Sequence, residues 1–436
     1  MKKSLLLLIL LSLSIALMSN GISLNSIGPK AMSMGGAFIG QADDASAVYW
    51  NPAGLIGLKP SVTASMVDVY LYPSYKNDAL GIDAKVDDVH FISPHAFANY
   101  SKDRFAWGFG FFVPHALGIE WDGKDFLSLN GPATYEAAPN YFLDNNSYGK
   151  EFDWYSQISM ITVSSSAAYQ VTDRFNVGFT INIHHGSMII ERGENRVNNF
   201  TNALEPDAAG MLDTQYKEDV TGSGTSFGFG LQFTPFEELT VGISYRSPSV
   251  VSLKGDAEFT KMPIPDADGN TSEELYVKRD FEIPFWVGIG TSWRATDKWV
   301  FNLDGHLTRW STYDKMVSEI IMENGTENVL THMEWEDAVQ IRVGTEYQAT
   351  KDLAIRAGYF YDPAPAPDKT LNILFPSSTN HNATLGGGYT FNNFTIDLAL
   401  EYYFGQEREV TKAPHNMPGI HQMDIFAYGL GLTYSF

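Results

Sequence analysis

The stretch Phe426-Ala427-Tyr428-Gly429-Leu430-Gly431-Leu432-Thr433-Tyr434-Ser435-Phe436 decides how the chain is read. Phe426, Tyr428, Leu430, Leu432, Tyr434 and Phe436 fall on one face, and Gly429, Gly431, Thr433 and Ser435 on the other. Alternation sustained to the last residue is the period of a strand, not of a helix. One face is apolar and aromatic, the other small and polar. Such a strand suits a soluble sandwich, or a wall with lipid on one side and water on the other.

Upstream, the same pattern recurs from about Ser61. Phe175, Val177, Phe179, Ile181 and Ile183 alternate with polar or small residues, as do Leu239, Val241, Ile243 and Tyr245, and Phe394, Ile396, Leu398, Leu400 and Tyr402. Fourteen segments qualify: 61–72, 86–100, 104–117, 150–170, 174–190, 222–234, 238–254, 280–294, 298–312, 334–348, 353–362, 380–391, 394–405 and 420–436. Their connections alternate in length. Tight turns at Ser101-Lys102-Asp103, Thr172-Asp173, Pro235-Phe236-Glu237, Ala295-Thr296-Asp297, Thr350-Lys351-Asp352 and Asn392-Asn393 are separated by long polar loops over 118–149, 191–221, 255–275, 315–330, 363–378 and 406–419. Short turns on one side and long loops on the other characterise an outer-membrane barrel. The expected fold is all-β: a fourteen-stranded antiparallel transmembrane barrel over 61–436. The even count leaves both ends on the periplasmic side. Closure is required, because an open edge in hydrocarbon strands unpaired N–H and C=O groups.

Composition agrees. Lys2-Lys3 followed by an apolar run from Leu5 to Met18 reads as a secretory signal peptide over 1–20, too short to span a membrane. There is no Cys, so neither disulfides nor a lipid anchor on Cys are expected. Without Lys2 and Lys3 the chain carries 27 basic against 51 acidic residues, a balance of −24, which repels nucleic acid. No later apolar run approaches the roughly 20 residues of a membrane helix, while aromatics reach 14% and Gly numbers 38.

Residues 27–58 break the strand pattern. Ile27 to Ala37, with Gly35-Gly36, then Ala42-Asp43-Asp44-Ala45-Ser46-Ala47, then Asn51-Pro52-Ala53-Gly54-Leu55, form a compact stretch able to fill a barrel lumen, and 21–60 is expected to be a hatch. These motifs resemble the hatch of the long-chain fatty acid transporter family (FadL type) of the outer membrane. The resemblance continues at Phe105-Ala106-Trp107-Gly108, at Tyr245-Arg246-Ser247, at Trp310-Ser311 and at Trp335-Glu336-Asp337-Ala338, and so spans the chain beyond the signal. The terminal Phe436 resembles the signal by which the barrel-assembly machinery recognises its clients.

The resemblance implies passive uptake of a hydrophobic small molecule, a fatty acid or an aromatic hydrocarbon, by a protein expected to act as a monomer in outer-membrane lipid. It further implies that ligand is caught among the outer loops, held in a pocket and released sideways at a kink in the third strand. Phe109 to Val113 followed by Pro114 offers that kink, since Pro cannot donate to a ladder. Gly108, Gly110, Phe112 and Pro114 are then path residues. An alternative on the same fold is a scaffold or shuttle subunit of a secretion machine (type IX).

By parity Arg246, Asp304, Arg342, Glu346, Arg356, Asp397 and Glu401 point into the lumen. Arg246, Arg342 and Arg356 are candidates for a ligand carboxylate, since guanidinium pairs with carboxylate bidentately; the competing reading is that these charges pair among themselves and with the hatch. His184-His185 face opposite sides of a strand and cannot chelate together. Asp266-Ala267-Asp268-Gly269-Asn270 lacks the spacing of a Ca²⁺ loop. No catalytic constellation, metal or cofactor is expected.

Overall fold

The structure, a computed structural model, describes residues 21–25, 27–86, 89–129, 151–194, 214–262, 269–323 and 325–436. The expected signal peptide and most of Asp266–Asn270 lie outside these residues. Fourteen barrel strands run in chain order: β1 (Ser61–Asn77), β2 (Val89–Lys102), β3 (Phe105–Trp121), β4 (Trp154–Thr172), β5 (Phe175–Glu194) and β6 (Thr214–Phe236). Next come β7, in two parts (Leu239–Arg246 and Ser249–Thr260), and β8, also in two (Glu273–Ile283 and Trp286–Arg294). Then follow β9 (Trp299–Thr308), β10 (Ala338–Gln348), β11 (Leu353–Asp362), β12 (Asn380–Phe391), β13 (Phe394–Gly405) and β14 (Gly419–Ser435). Each pairs antiparallel with the next, and β14 returns to β1 from Ser61 opposite Ser435 to Lys76 opposite Ile420. The barrel is closed.

Alternation sets which residues meet lipid. On β5, Phe179, Ile181 and Ile183 are exposed while Thr180, Asn182 and His184 are buried inside. Leu430 and Leu432 of β14 face out, and Gly429 and Gly431 lie against Met32 and Pro29 of the hatch. Trp107, Trp293, Trp299, Tyr389 and Phe391 are exposed near the tight turns, an aromatic belt of the kind found at a membrane interface.

Several strands run past the ends the pattern suggested. β6 begins at Thr214 rather than near 222, and Lys315–Met322 with Gly325–His332 forms a hairpin inside a presumed loop. Nor are the outer connections simply polar. Leu371, Ile373, Leu374 and Phe375 turn inward and join Trp121, Phe126, Trp154, Phe259, Trp310 and Trp335 in one apolar core across the outer mouth. Trp121 Nε1 donates to Ile373 O at 3.1 Å and Ser156 Oγ to Leu374 O at 2.6 Å, which ties this loop to β3 and β4. Burial there raises the pKa of the Tyr313 phenol.

The hatch lies inside the lower barrel as two single-turn helices, α1 (Pro29–Met32) and α2 (Ala47–Trp50), and a 3-10 turn at Pro52–Leu55. Its own small core includes Ile27, Met34, Phe38, Trp50 and Leu55. Trp50 Nε1 donates to Ile27 O at 2.8 Å.

Candidate functional site

The hatch is fixed to the wall by the motifs that marked it in the sequence. Gly35 and Gly36 have φ of 64° and 66°, a region costly for any residue with a Cβ, and a Cβ at Gly36 would also strike Arg342. Asn51 Oδ1 accepts the Ala53 N–H at 3.2 Å, and Nδ2 donates to Ile39 O and Leu231 O, both at 3.0 Å. One amide thus caps the 3-10 turn, closes the hatch on itself and bonds it to β6. Pro52 and Ala53 press on bare wall. A Cβ at Gly230 would overlap Asn51, one at Gly242 would overlap Ile39, and one at Gly178 would stand 2.5 Å from Ala53 N. These three wall glycines were not singled out from the sequence, where they appear only as small residues on the inner face.

Most lumen charges are already paired. Asp304 accepts the N–H groups of Phe38 and Ile39 at 2.8 and 2.9 Å. Arg342 donates to Gly35 O at 2.8 Å, to Gln340 and to Asn25. Arg356 bridges Glu346 and Asp397, each at 2.6 Å. Arg246 differs: its guanidinium lies 3.7 Å from the Tyr49 ring centroid and 4.0 Å from that of Trp286, and has no carboxylate partner among the described residues.

The wall is interrupted at β3. β2 and β3 are paired only between Lys102 opposite Phe105 and Ala96 opposite Phe111. Beyond Phe111 neither strand has the other as partner. On its other side β3 shifts register against β4 between Phe112 and His115, so Val113 and Pro114 stand against Ile161 alone. This is a β-bulge, which bends a strand and ends local pairing. The free edge is met from inside by residues 22–24. Leu24 N–H donates to Pro114 O at 2.9 Å, Ala116 N–H to Ile22 O at 3.1 Å, and Ser23 Oγ lies 3.1 Å from His115 Nδ1. Across the gap only side chains meet: the Phe91 ring covers Gly118. Gly108 gives room to Val48 and Leu55 of the hatch, and Gly110 to Val48 and the Phe112 ring.

Phe112, Pro114, Tyr49, Pro52 and Arg246 all line one cleft between hatch and wall, about 750 Å³ including its open mouth. It has two characters. Val48, Tyr49, Phe112 and Trp286 are apolar or aromatic; opposite them runs a polar ladder. Thr162 Oγ1 and Ser226 Oγ each lie 2.8 Å from His184, on Nδ1 and Nε2, and Asn182 donates to Ser226 at 3.0 Å. His184 is thereby held within the wall, while His185 points out and is exposed. No group of acids and imidazoles among the described residues could hold a metal. Of the sequence candidates, the cleft therefore gathers Arg246, Phe112, Pro114 and Pro52, while Arg342, Arg356 and Gly108 serve hatch contacts or ion pairs.

A closed fourteen-stranded barrel with a hatch in its lumen is an outer-membrane transport architecture. The family "Outer membrane protein transport protein (OMPP1/FadL/TodX)" matches residues 10–436, and the chain belongs to it. It is 23% identical to the long-chain fatty acid transport protein of Escherichia coli O6:H1, over 92% of both chains. In fold it is similar to a Pseudomonas aeruginosa FadL homologue, with TM-score 0.76, 18% identity and coverage of 96% of this chain and 100% of that one. It is also similar to the Pseudomonas putida toluene transporter TodX, with TM-score 0.74, 20% identity and coverage of 97% and 99%. The protein therefore resides in the outer membrane and belongs to a transport family rather than an enzyme family.

Proposed function

We propose that this protein admits single hydrophobic molecules with one polar end, long-chain fatty acids first among them, and releases them sideways into the membrane at β3. The observation that carries the reading is the cleft itself. It joins an aromatic floor to Arg246, which has no carboxylate partner among the described residues, and abuts the strand whose ladder is broken. A ligand chain gains roughly 25 cal/mol for each Å² kept from water, so leaving into lipid is favoured over leaving into the periplasm. Guanidinium and ligand carboxylate form a charge-assisted bond at the polar end. The similarity to a fatty acid transport protein supports this ligand class, and the similarity to a toluene transporter supports a hydrophobic ligand more generally. The apolar residues of the outer connections are turned inward, which favours transport over a protein-docking scaffold.

The test bridges the gap. Cysteines replacing Phe91 and Gly118, joined by a short bismaleimide, tie β2 to β3 in a chain with no cysteine of its own. Uptake of radiolabelled palmitate by expressing cells is expected to fall to background once cross-linking is complete. Unchanged uptake would exclude the lateral route at β3.

A further inference from the structure

A second break in the wall borders the same cleft. β6 pairs with the first part of β7 as far as Gly228 opposite Arg246, and with the second part from Ser223 opposite Ser252. Between these points four residues of β6, Gly224 to Phe227, face five of β7, Ser247 to Val251. β7 and β8 pair up to Arg246 opposite Trp286 and again from Ser249 opposite Ile283. In the interval Pro248 stands opposite Pro284, and neither has an N–H to donate. This level is held from either side: on the β6 side by Ser247 N–H to Phe227 O at 2.8 Å and Phe227 N–H to Ser247 Oγ at 2.9 Å, and on the other by Arg309 N–H to Phe285 O at 3.0 Å.

The seam has two faces and little between them. Inside, Ser247, Ile283 and Pro284 line the cleft beside Arg246 and Trp286. Outside, Pro248, Ser249, Val250 and Ile283 line a groove of about 1100 Å³, open space included. Ile283 belongs to both, so at this point the wall is one side chain thick. The outer groove continues the lipid-facing surface: Ile183 and Val250 in its lining are 57% and 49% exposed. Ser223, Thr225, Thr312 and Glu282, the last directly opposite Val250, add polar groups to its lining. About ten residues separate the seam from the tight turn between β6 and β7. At about 3.3 Å per residue and a tilt of about 40°, that places it about 25 Å up, at the top of the apolar band. A hydrocarbon chain of the outer leaflet meets Ile183, Val250 and Ile283 there, with polar groups beside them at head-group height.

We infer that the Pro248–Pro284 seam is a second lateral portal, through which a single acyl chain dissolved in the outer leaflet reaches the cleft past Ile283. The cleft would then be loaded from the membrane as well as from the loops. The inference rests on reading the cleft as the ligand site.

Ser247 and Phe285 lie opposite each other in the seam. Ser247 spends its N–H on β6 and Phe285 its carbonyl on the Arg309 N–H just past β9, which makes them a non-hydrogen-bonded pair with the close spacing a disulfide needs. The full-length double variant Ser247→Cys/Phe285→Cys, reconstituted in vesicles preloaded with palmitate, locks when oxidised and frees when reduced. Transfer of palmitate from lipid to protein is expected to be about tenfold slower in the oxidised state, an added barrier of about 1.4 kcal/mol, and to recover on reduction. Equal transfer in both states overturns the portal. Equilibrium binding of palmitate to the wild type in detergent tests the underlying reading separately. Should none bind, the portal is still judged by single-cysteine reactivity toward a maleimide dissolved in the lipid. Ser244→Cys, facing the cleft beside the seam, is expected to react faster than Ser166→Cys, which faces the lumen away from it. Equal rates overturn the portal.

Discussion

Among the lumen cations, Arg246 is set apart by the company it keeps. Arg342 and Arg356 spend their donors on hatch carbonyls and carboxylates, whereas Arg246 is stacked between two rings and gives one 3.3 Å bond to Tyr49 O. Cation–π contact offsets part of its desolvation without using up its fork of donors. Arg246→Met is therefore expected to weaken palmitate binding by about 1.5–3 kcal/mol, roughly ten- to a hundredfold, while leaving toluene binding unchanged. Calorimetric titration of both ligands against the detergent-purified protein checks it; equal loss for both would mean that Arg246 only shapes the cleft. Asn51 presents the complementary case of a residue with no free capacity. Asn51→Ala removes the cap on Ala53 and unbonds two buried carbonyls, at about 1–3 kcal/mol. The hatch should loosen in an intact barrel. Planar-bilayer conductance should rise with no change in the heat needed to unfold the barrel, and wild-type values of conductance and uptake together would refute that role.

At the scale of elements, each strand near the site is defined by where its ladder stops. β3 loses β2 beyond Phe111 and gains residues 22–24 from within; the same bulge that frees its edge turns Phe112 onto Tyr49 at 5.2 Å between ring centroids. β5, β6 and β7 do the opposite. They stay fully paired beside the hatch and omit side chains there, at Gly178, Gly230 and Gly242, so that the 3-10 turn lies directly on backbone. Since a Cβ at any of the three would meet hatch atoms at 2.5 Å or closer, the barrel and the plug are fitted at these points without slack. Gly230→Ala should displace Asn51 and make the segment around Pro52 cleavable by added protease in the purified protein, whereas Gly305→Ala, where a Cβ meets nothing within 4 Å, should leave it resistant. Equal resistance in both variants would show that the contact is not what seats the hatch.

For the whole molecule, pairing of β14 with β1 closes the ring, and the expectation for the last residue concerns assembly rather than stability. Sixteen aligned pairs from Ser61 opposite Ser435 to Lys76 opposite Ile420 join the first strand to the last, and Phe436 adds only an N–H bond to Pro60 O at 3.0 Å. The Phe436 side chain is 70% exposed, so trimming it removes little packing. Phe436→Ala is thus expected to leave the unfolding temperature of protein refolded in detergent within a few degrees of wild type, as surface substitutions usually do, yet to lower the amount found in the outer membrane of expressing cells severalfold. An unchanged membrane yield would remove the terminal aromatic from any part in recognition by the assembly machinery.

What the sequence determined by itself is whatever depends on period and punctuation. Alternation in Phe426–Phe436 and its upstream counterparts settled strand, facing and the even count. Pro114 marked the break in β3, and Gly35-Gly36 with Asn51-Pro52-Ala53 marked the hatch, because these residues restrict or relax the backbone wherever they occur. The outer connections read as polar in sequence and are not, since the run Leu371, Ile373, Leu374 and Phe375 is too short to show a period and gives no hint of what it will cover. Tertiary structure alone decided which charges were left over and which edges were covered. Parity placed Arg246, Arg342 and Arg356 in the lumen alike, and only the positions of Asn25, Glu346 and Asp397 distinguish them. Nothing near Ser23 announces that it will lie against His115, 92 residues away, or that Pro248 and Pro284 will meet at one level. A strand's facing follows from its own covalent geometry; its partners across the lumen follow from closing the sheet, which is a property of the whole ring.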